Sequence, residues 1–142
     1  MPRLSRVALP SEPTGDLRHQ LLIAIQGRKK GFSRTRALDW MRTHGGSRFF
    51  TCRICELEFA SGFATDADAA HYLKGFTILP INETVLRGAT EIMRELRVTG
   101  HDIGLADSII AATARLYLFP LVTDNVRHFR RVSGVDVRGY IG

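Results

Sequence analysis

No apolar run in the 142-residue chain approaches the ~18 residues that a membrane-spanning helix needs. Nothing repeats, and no tract is of low complexity. Residues 1–16 carry basic side chains without the apolar stretch of a secretory leader, so the expected compartment is the cytoplasm. Cysteine is scarce: Cys52 and Cys55 form one C-x-x-C. A zinc site usually needs two further ligands at matching spacing, and His71 and His101 stand too isolated to supply them. A redox pair is the more serious rival, because Cys52 ends a predicted strand and Cys55 begins a helix, with Arg53 between them to lower a thiol pKa. No Trp, Gly or Pro flanks the pair as in redox motifs, so both thiols are expected to be structural and reduced. Acid is also in short supply, 14 Asp and Glu against 20 Lys and Arg, a net charge of +6. That sign favours polyanions, with nucleic acid first and an acidic protein partner second.

What is present suits one globular domain over residues 1–142, with 44% hydrophobic residues and room for a core. Residues 1–16, with Pro2, Pro10 and Pro13, read as an irregular segment, with a short strand conceivable at residues 4–9. The run Leu21-Leu22-Ile23-Ala24-Ile25 is too short for periodicity to separate strand from helix. A basic turn follows at residues 27–31. Ser33 can cap a helix over 34–43, whose Ala37, Leu38, Trp40 and Met41 make an apolar stripe. Residues 48–52 read as a strand, 54–63 as a helix, and 67–74 as a second helix with Ala69, Ala70 and Leu73 inward. Residues 76–79 form a strand. Asn82 caps a long amphipathic helix marked by Val85, Leu86, Ala89, Ile92, Met93 and Leu96, ended by Gly100. A last short strand is expected at 135–137. Strands alternate with helices, which predicts a parallel sheet of four or five strands covered on both faces.

The chain is organised around residues 100–129, GHDIGLADSIIAATARLYLFPLVTDNVRHF. Asp107 opens an apolar helix over 108–116. An apolar strand at 119–122 then ends in Thr123, Asp124 and Asn125. The C-terminal ends of strands are where open α/β sheets build their sites. Alone, Asp107 would be an acid complementing a helix dipole. The run Asp107, Ile110-Ala111-Ala112-Thr113-Ala114, Leu121-Val122-Thr123-Asp124-Asn125 and Phe129 resembles the C-terminal half of a PIN domain, in particular a VapC-type toxin.

That resemblance implies a three-layer α/β/α sandwich and a ribonuclease of a toxin–antitoxin pair, working with Mg²⁺ or Mn²⁺. It also implies an antitoxin partner that occludes the site, and a homodimer. Cleaving a phosphodiester with a metal needs several carboxylates converging from different elements, because one helix face cannot surround an ion. The resemblance puts Glu58 first in that set, four residues before Gly62, with Glu56 as a weaker alternative. Asp107 is the next acid. Asn125, with Asp124 beside it, completes the shell, and Thr123 orients it. The likeness spans residues 33–140. The family's opening strand ends in an L-D-T/S-N/S motif whose Asp is a central metal ligand, and this chain has no such motif. Arg18 stands there if residues 17–23 form the strand, and Pro10 if residues 6–9 do. Asp16 or Glu12 could substitute from a loop.

Two further readings come from other classes. One is a PIN-like module without catalysis that binds RNA or protein, supported by the missing first Asp. The other is a thiol oxidoreductase built on Cys52 and Cys55.

Overall fold

The computed structural model describes residues 20–25 and 34–140. The irregular segment at 1–16, the positions of Glu12, Asp16 and Arg18, and the basic turn lie outside them. The elements run β1 (Gln20–Ile23), α1 (Arg34–Thr43), β2 (Arg48–Cys52), α2 (Arg53–Ala60), α3 (Asp66–Leu73), β3 (Phe76–Leu79), α4 (Glu83–Thr99), α5 (Leu105–Tyr117), β4 (Leu121–Val122), α6 (Val126–Phe129) and β5 (Val137–Arg138).

Five parallel strands lie in the order β3-β2-β1-β4-β5. The ambiguous run is therefore the central strand, buried at every residue. Its side chains alternate between two apolar layers. Leu22 and Ala24 join the core beneath α4 and α5, while Leu21, Ile23 and Ile25 join Ala37, Phe59 and Tyr140 on the other face. A strand buried on both sides reads as an unbroken apolar run, which is why its sequence carries no alternation.

Local chemistry sets most boundaries. Thr65 caps α3 by accepting from the Asp68 amide at 3.2 Å, and Asn82 caps α4 by accepting from the Val85 amide at 3.0 Å. Gly100, at φ 75°, closes α4, with the His101 amide donating to the Leu96 carbonyl at 2.9 Å. Tertiary packing moves others. The helix expected at 54–63 is shorter, because the chain passes from β2 into α2 at Arg53 without a turn and leaves it at Ser61. The helix expected at 108–116 begins at Leu105, which places Asp107 inside the first turn. The strand expected at 119–122 pairs only at Leu121 and Val122, and the last strand falls at Val137–Arg138. Ala70 and Leu86 are exposed rather than inward.

After β3 the chain crosses over β1 to place β4 on its far side. The C-terminal ends of β1 and β4 therefore flank the point where strand order reverses, the usual ligand crevice of such sheets.

Candidate active site

β4 is short but held from both sides. The Ala24 amide donates to the Val122 carbonyl at 2.9 Å, and the Thr123 amide donates to the Arg138 carbonyl at 2.9 Å. Beyond it, the buried Thr123 hydroxyl accepts from the Asn125 amide at 3.0 Å and turns the chain. The Asn125 carbonyl then accepts from the amides of His128 and Phe129 at 3.2 and 3.3 Å, which starts α6. Thr123 thus sets where Asn125 sits. Phe129 is fully buried and anchors α6 to the core.

Asp107 is 7% exposed, so its charge has to be answered by a neighbour. Its Oδ2 lies 2.8 Å from Nε2 of His128 on α6. The same nitrogen lies 3.2 Å from the Ile103 carbonyl. Both neighbours are acceptors, so Nε2 carries the hydrogen and donates to each. Asp107 also stands in the first turn of α5, where the helix dipole favours an anion. His128 was not singled out in the sequence. Its signal was present only as a titratable residue one turn beyond Asn125.

Glu58 lies on α2, one turn beyond Cys55, with Oε1 withdrawn from solvent. Glu56 is paired with Arg53 on the helix surface, which suits its reading as a solvated position. Cys52 and Cys55 are free and buried, with their sulfurs 3.5 Å apart in hydrogen-bond contact. The Cys55 thiol is pushed well above its ordinary pKa by that contact, by burial and, further down, by the negative charge of Glu58. Cys52 is shifted the other way, lowered by its hydrogen bond with Cys55. Both sulfurs are fully buried, however, and thiols closed off from any partner are inert, which argues against the oxidoreductase reading.

Asp124 does not turn fully to solvent: its Oδ2 is buried. The pairing of Val122 with Arg138, carried two residues further along parallel strands, sets Tyr140 beside it. The Tyr140 hydroxyl is buried and makes no hydrogen bond among the described residues. Burial raises its pKa far above the usual phenol value, and the negative charge of Asp124 adds to that. Tyr140 is the second residue that sequence reasoning missed, since its place depends on strand register.

The charge of Glu58 acts on Cys55 and that of Asp124 on Tyr140, while Asp107 pairs with His128, whose amide donates to the Asn125 carbonyl. Glu58, Asp107, Asp124 and Asn125 offer oxygen donors throughout, the kind that suits Mg²⁺ or Mn²⁺. Among the described residues, no three of His, Cys, Asp or Glu stand close enough together to hold a metal ion. Among the described residues, the end of β1 adds no donor side chain. Ala24 and Ile25 follow Ile23 there and are 1% and 3% exposed. Arg18 and Pro10, the two placements expected from the sequence, lie outside the described residues.

The family profile described as PIN domain matches residues 21–135. A Mycobacterium tuberculosis protein named Ribonuclease VapC10 is 33% identical over 96 residues, 66% of this chain and 72% of the relative. Ribonuclease VapC1 of Rickettsia felis is 37% identical over 67 residues, 46% and 50% of the two chains. Among solved structures, VapBC2 from Rickettsia felis bound to a DNA fragment from their promoter aligns with a TM-score of 0.64 at 18% identity, covering 84% of this chain and 98% of its own. FitAcB from Neisseria gonorrhoeae aligns with a TM-score of 0.65 at 21% identity, covering 85% and 97%. At such identities these two structures are alike in fold.

Proposed function

The chain belongs to the PIN-domain family, and from that premise we propose that it is a ribonuclease, the toxin of a toxin–antitoxin pair, hydrolysing RNA phosphodiester bonds. The observation that carries this reading is the match of residues 21–135 to the PIN-domain profile, and it is supported by the buried Asp107, held by His128 on the helix that follows Asn125. The net charge of +6 fits a polyanionic substrate. The reading includes Mg²⁺ or Mn²⁺, which Glu58, Asp107, Asp124 and Asn125 would hold. When bound, such an ion makes water a better nucleophile and offsets charge building on the phosphate. The chain's own groups prepare the crevice. His128 fixes the orientation of the Asp107 carboxylate, and Thr123 fixes that of Asn125. Tyr140, buried and held neutral, stands within the field of the Asp124 carboxylate. The same family reading gives the chain a small antitoxin as partner and a homodimer as its assembly. Structural neighbours include a toxin-antitoxin complex from Klebsiella pneumoniae.

One observation favours a second reading, a PIN-like module with impaired catalysis that binds RNA or protein. The β1 end of the crevice is apolar, at Ala24 and Ile25. Incubating purified protein with RNA in Mg²⁺, in Mn²⁺ and in a chelator separates the two. Cleavage that needs a divalent ion and disappears in Asp107→Asn supports the nuclease. No cleavage by the wild type with either ion replaces it with the binding module.

A further inference from the structure

We propose that Arg127, Arg130 and Arg131 form a phosphate-binding track that guides single-stranded RNA along α6 towards the acidic crevice, a step that rests on the nuclease reading of that crevice. Arg127 lies on α6, Arg130 is its C-terminal cap and Arg131 follows in the turn, at the i, i+3 and i+4 spacing that brings side chains near one another in helical backbone. All three are exposed, while Phe129 and Val132 on the opposite side are buried. The turn is firm: the Arg130 amide donates to the Val126 carbonyl at 2.9 Å, and the Val132 amide to the Phe129 carbonyl at 3.1 Å. His128, between the arginines in sequence, ties it to α5 through Asp107.

Pairing alone does not set this face apart, since Arg94 and Arg97 on α4 also take part in no ion pair of the described residues, but those two share their helix with Glu91 and Glu95. Arg42, Arg53, Arg87, Arg115 and Arg138 each have a carboxylate partner. Arg127, Arg130 and Arg131 take part in no ion pair of the described residues, and residues 125–135 contain no Asp or Glu. Three unneutralised guanidinium groups on one turn repel one another unless an anion lies across them. Each guanidinium presents a planar fork that matches a phosphate with two parallel hydrogen bonds. The exposed residues of the turn include no aromatic ring on which a base could stack. The arginines would therefore hold the sugar–phosphate backbone, keeping RNA in register without selecting its sequence. The track starts two residues past Asn125, on the helix that the end of β4 leads into, which favours the substrate over an acidic protein.

The test measures binding of a labelled single-stranded RNA in EDTA, where no divalent ion can support cleavage, over a series of KCl concentrations. For Arg127→Gln/Arg130→Gln/Arg131→Gln, the slope of log K against log salt should become less negative by about 2, at ~0.7 for each phosphate no longer neutralised. The matching triple Lys variant, which keeps the charge, should retain most of the slope. A charge-matched control, Arg42→Gln/Lys74→Gln/Arg87→Gln, should change it little. Equal changes in the Gln triple and the control, or no change in either, overturn the track and leave general net charge as the cause. A synthetic oligo-aspartate peptide that loses affinity for the Gln triple while the RNA slope stays unchanged also overturns it, and assigns the face to an acidic protein. Cleavage in Mn²⁺ is scored separately. A slope difference without cleavage sinks the nuclease reading and keeps the track, and cleavage without a slope difference does the reverse.

Discussion

β1 and β4 lie side by side, run the same way and end at the same edge, yet their ends have opposite chemistry. β1 runs into Ala24 and Ile25, packed in the two apolar layers. β4 runs into Thr123, Asp124 and Asn125, where a buried hydroxyl turns the chain and a carboxylate oxygen is withdrawn from water. The backbone is shared, since the Ala24 amide donates to the Val122 carbonyl. What differs is only the side chains that each strand delivers. Among the described residues, the sheet edge is therefore polar at the end of β4 and apolar at the end of β1, and its capacity for a cation depends on how far one side can do the work of two.

The largest expected effect comes from the polar side. Asp107→Asn should lower divalent-dependent RNA cleavage by on the order of 10²–10³-fold, with far-ultraviolet circular dichroism and melting temperature close to wild type. Equal cleavage by the variant would show that the polar wall is not where the chemistry lies.

The apolar wall can be attacked by giving it an acid. Ala24→Asp buries a carboxylate in a packed layer and should destabilise the metal-free protein by about 3 kcal/mol or more. If the wall faces a cation site, Mn²⁺ should then raise the melting temperature of the variant more than that of the wild type, because a ligand bound only by the folded state stabilises it. A variant indifferent to Mn²⁺ would mean that β1 does not border such a site.

A smaller effect sharpens the contrast between the two sides of the polar wall. His128→Ala removes the 2.8 Å hydrogen bond to Asp107 and should cost about 1–2 kcal/mol in chemical denaturation, since bonds to charged groups exceed neutral ones. His128→Gln, which can still donate, should recover part of it. Identical losses in the two variants would assign the effect to packing.

The smallest effect at neutral pH belongs to Tyr140→Phe. Deleting a buried hydroxyl without a partner should leave stability unchanged or raise it by less than about 1 kcal/mol. The difference should widen in alkali. The folded pKa of Tyr140 is raised, so its contribution is fully present below the unfolded value of 10.0 and is lost as pH rises beyond it. Wild type should therefore lose stability above pH 10.0 more steeply than the Phe variant. Parallel pH profiles would show that Tyr140 is not sealed beside Asp124.

Much of this was legible in the chain before any coordinates. Asn82 before a 3.6-residue apolar period, Gly100 after it, and Thr65 ahead of α3 announce their helices because caps act within one turn. Asp107, Asp124 and Asn125 could be picked out because each adjoins an element end that the residues themselves mark. Glu58 came only through family likeness, since nothing in its own turn separates it from Glu56. His128 and Tyr140 were illegible, because each matters through a neighbour far away in the sequence.

The sequence by itself determined the alternation of strands and helices, the caps, and the scarcity of acid that leaves the chain basic, all of which depend on composition or on neighbours within a few residues. Only the tertiary structure decided that residues 20–23 are the central strand, that β4 pairs over just two residues, and that the strand beside it ends in alanine and isoleucine. The physical reason is range. A short apolar run is equally content as strand or helix until the hydrogen bonds of β2 and β4 claim its backbone. A buried carboxylate likewise has no defined character until folding brings His128 to Asp107, or Tyr140 to Asp124.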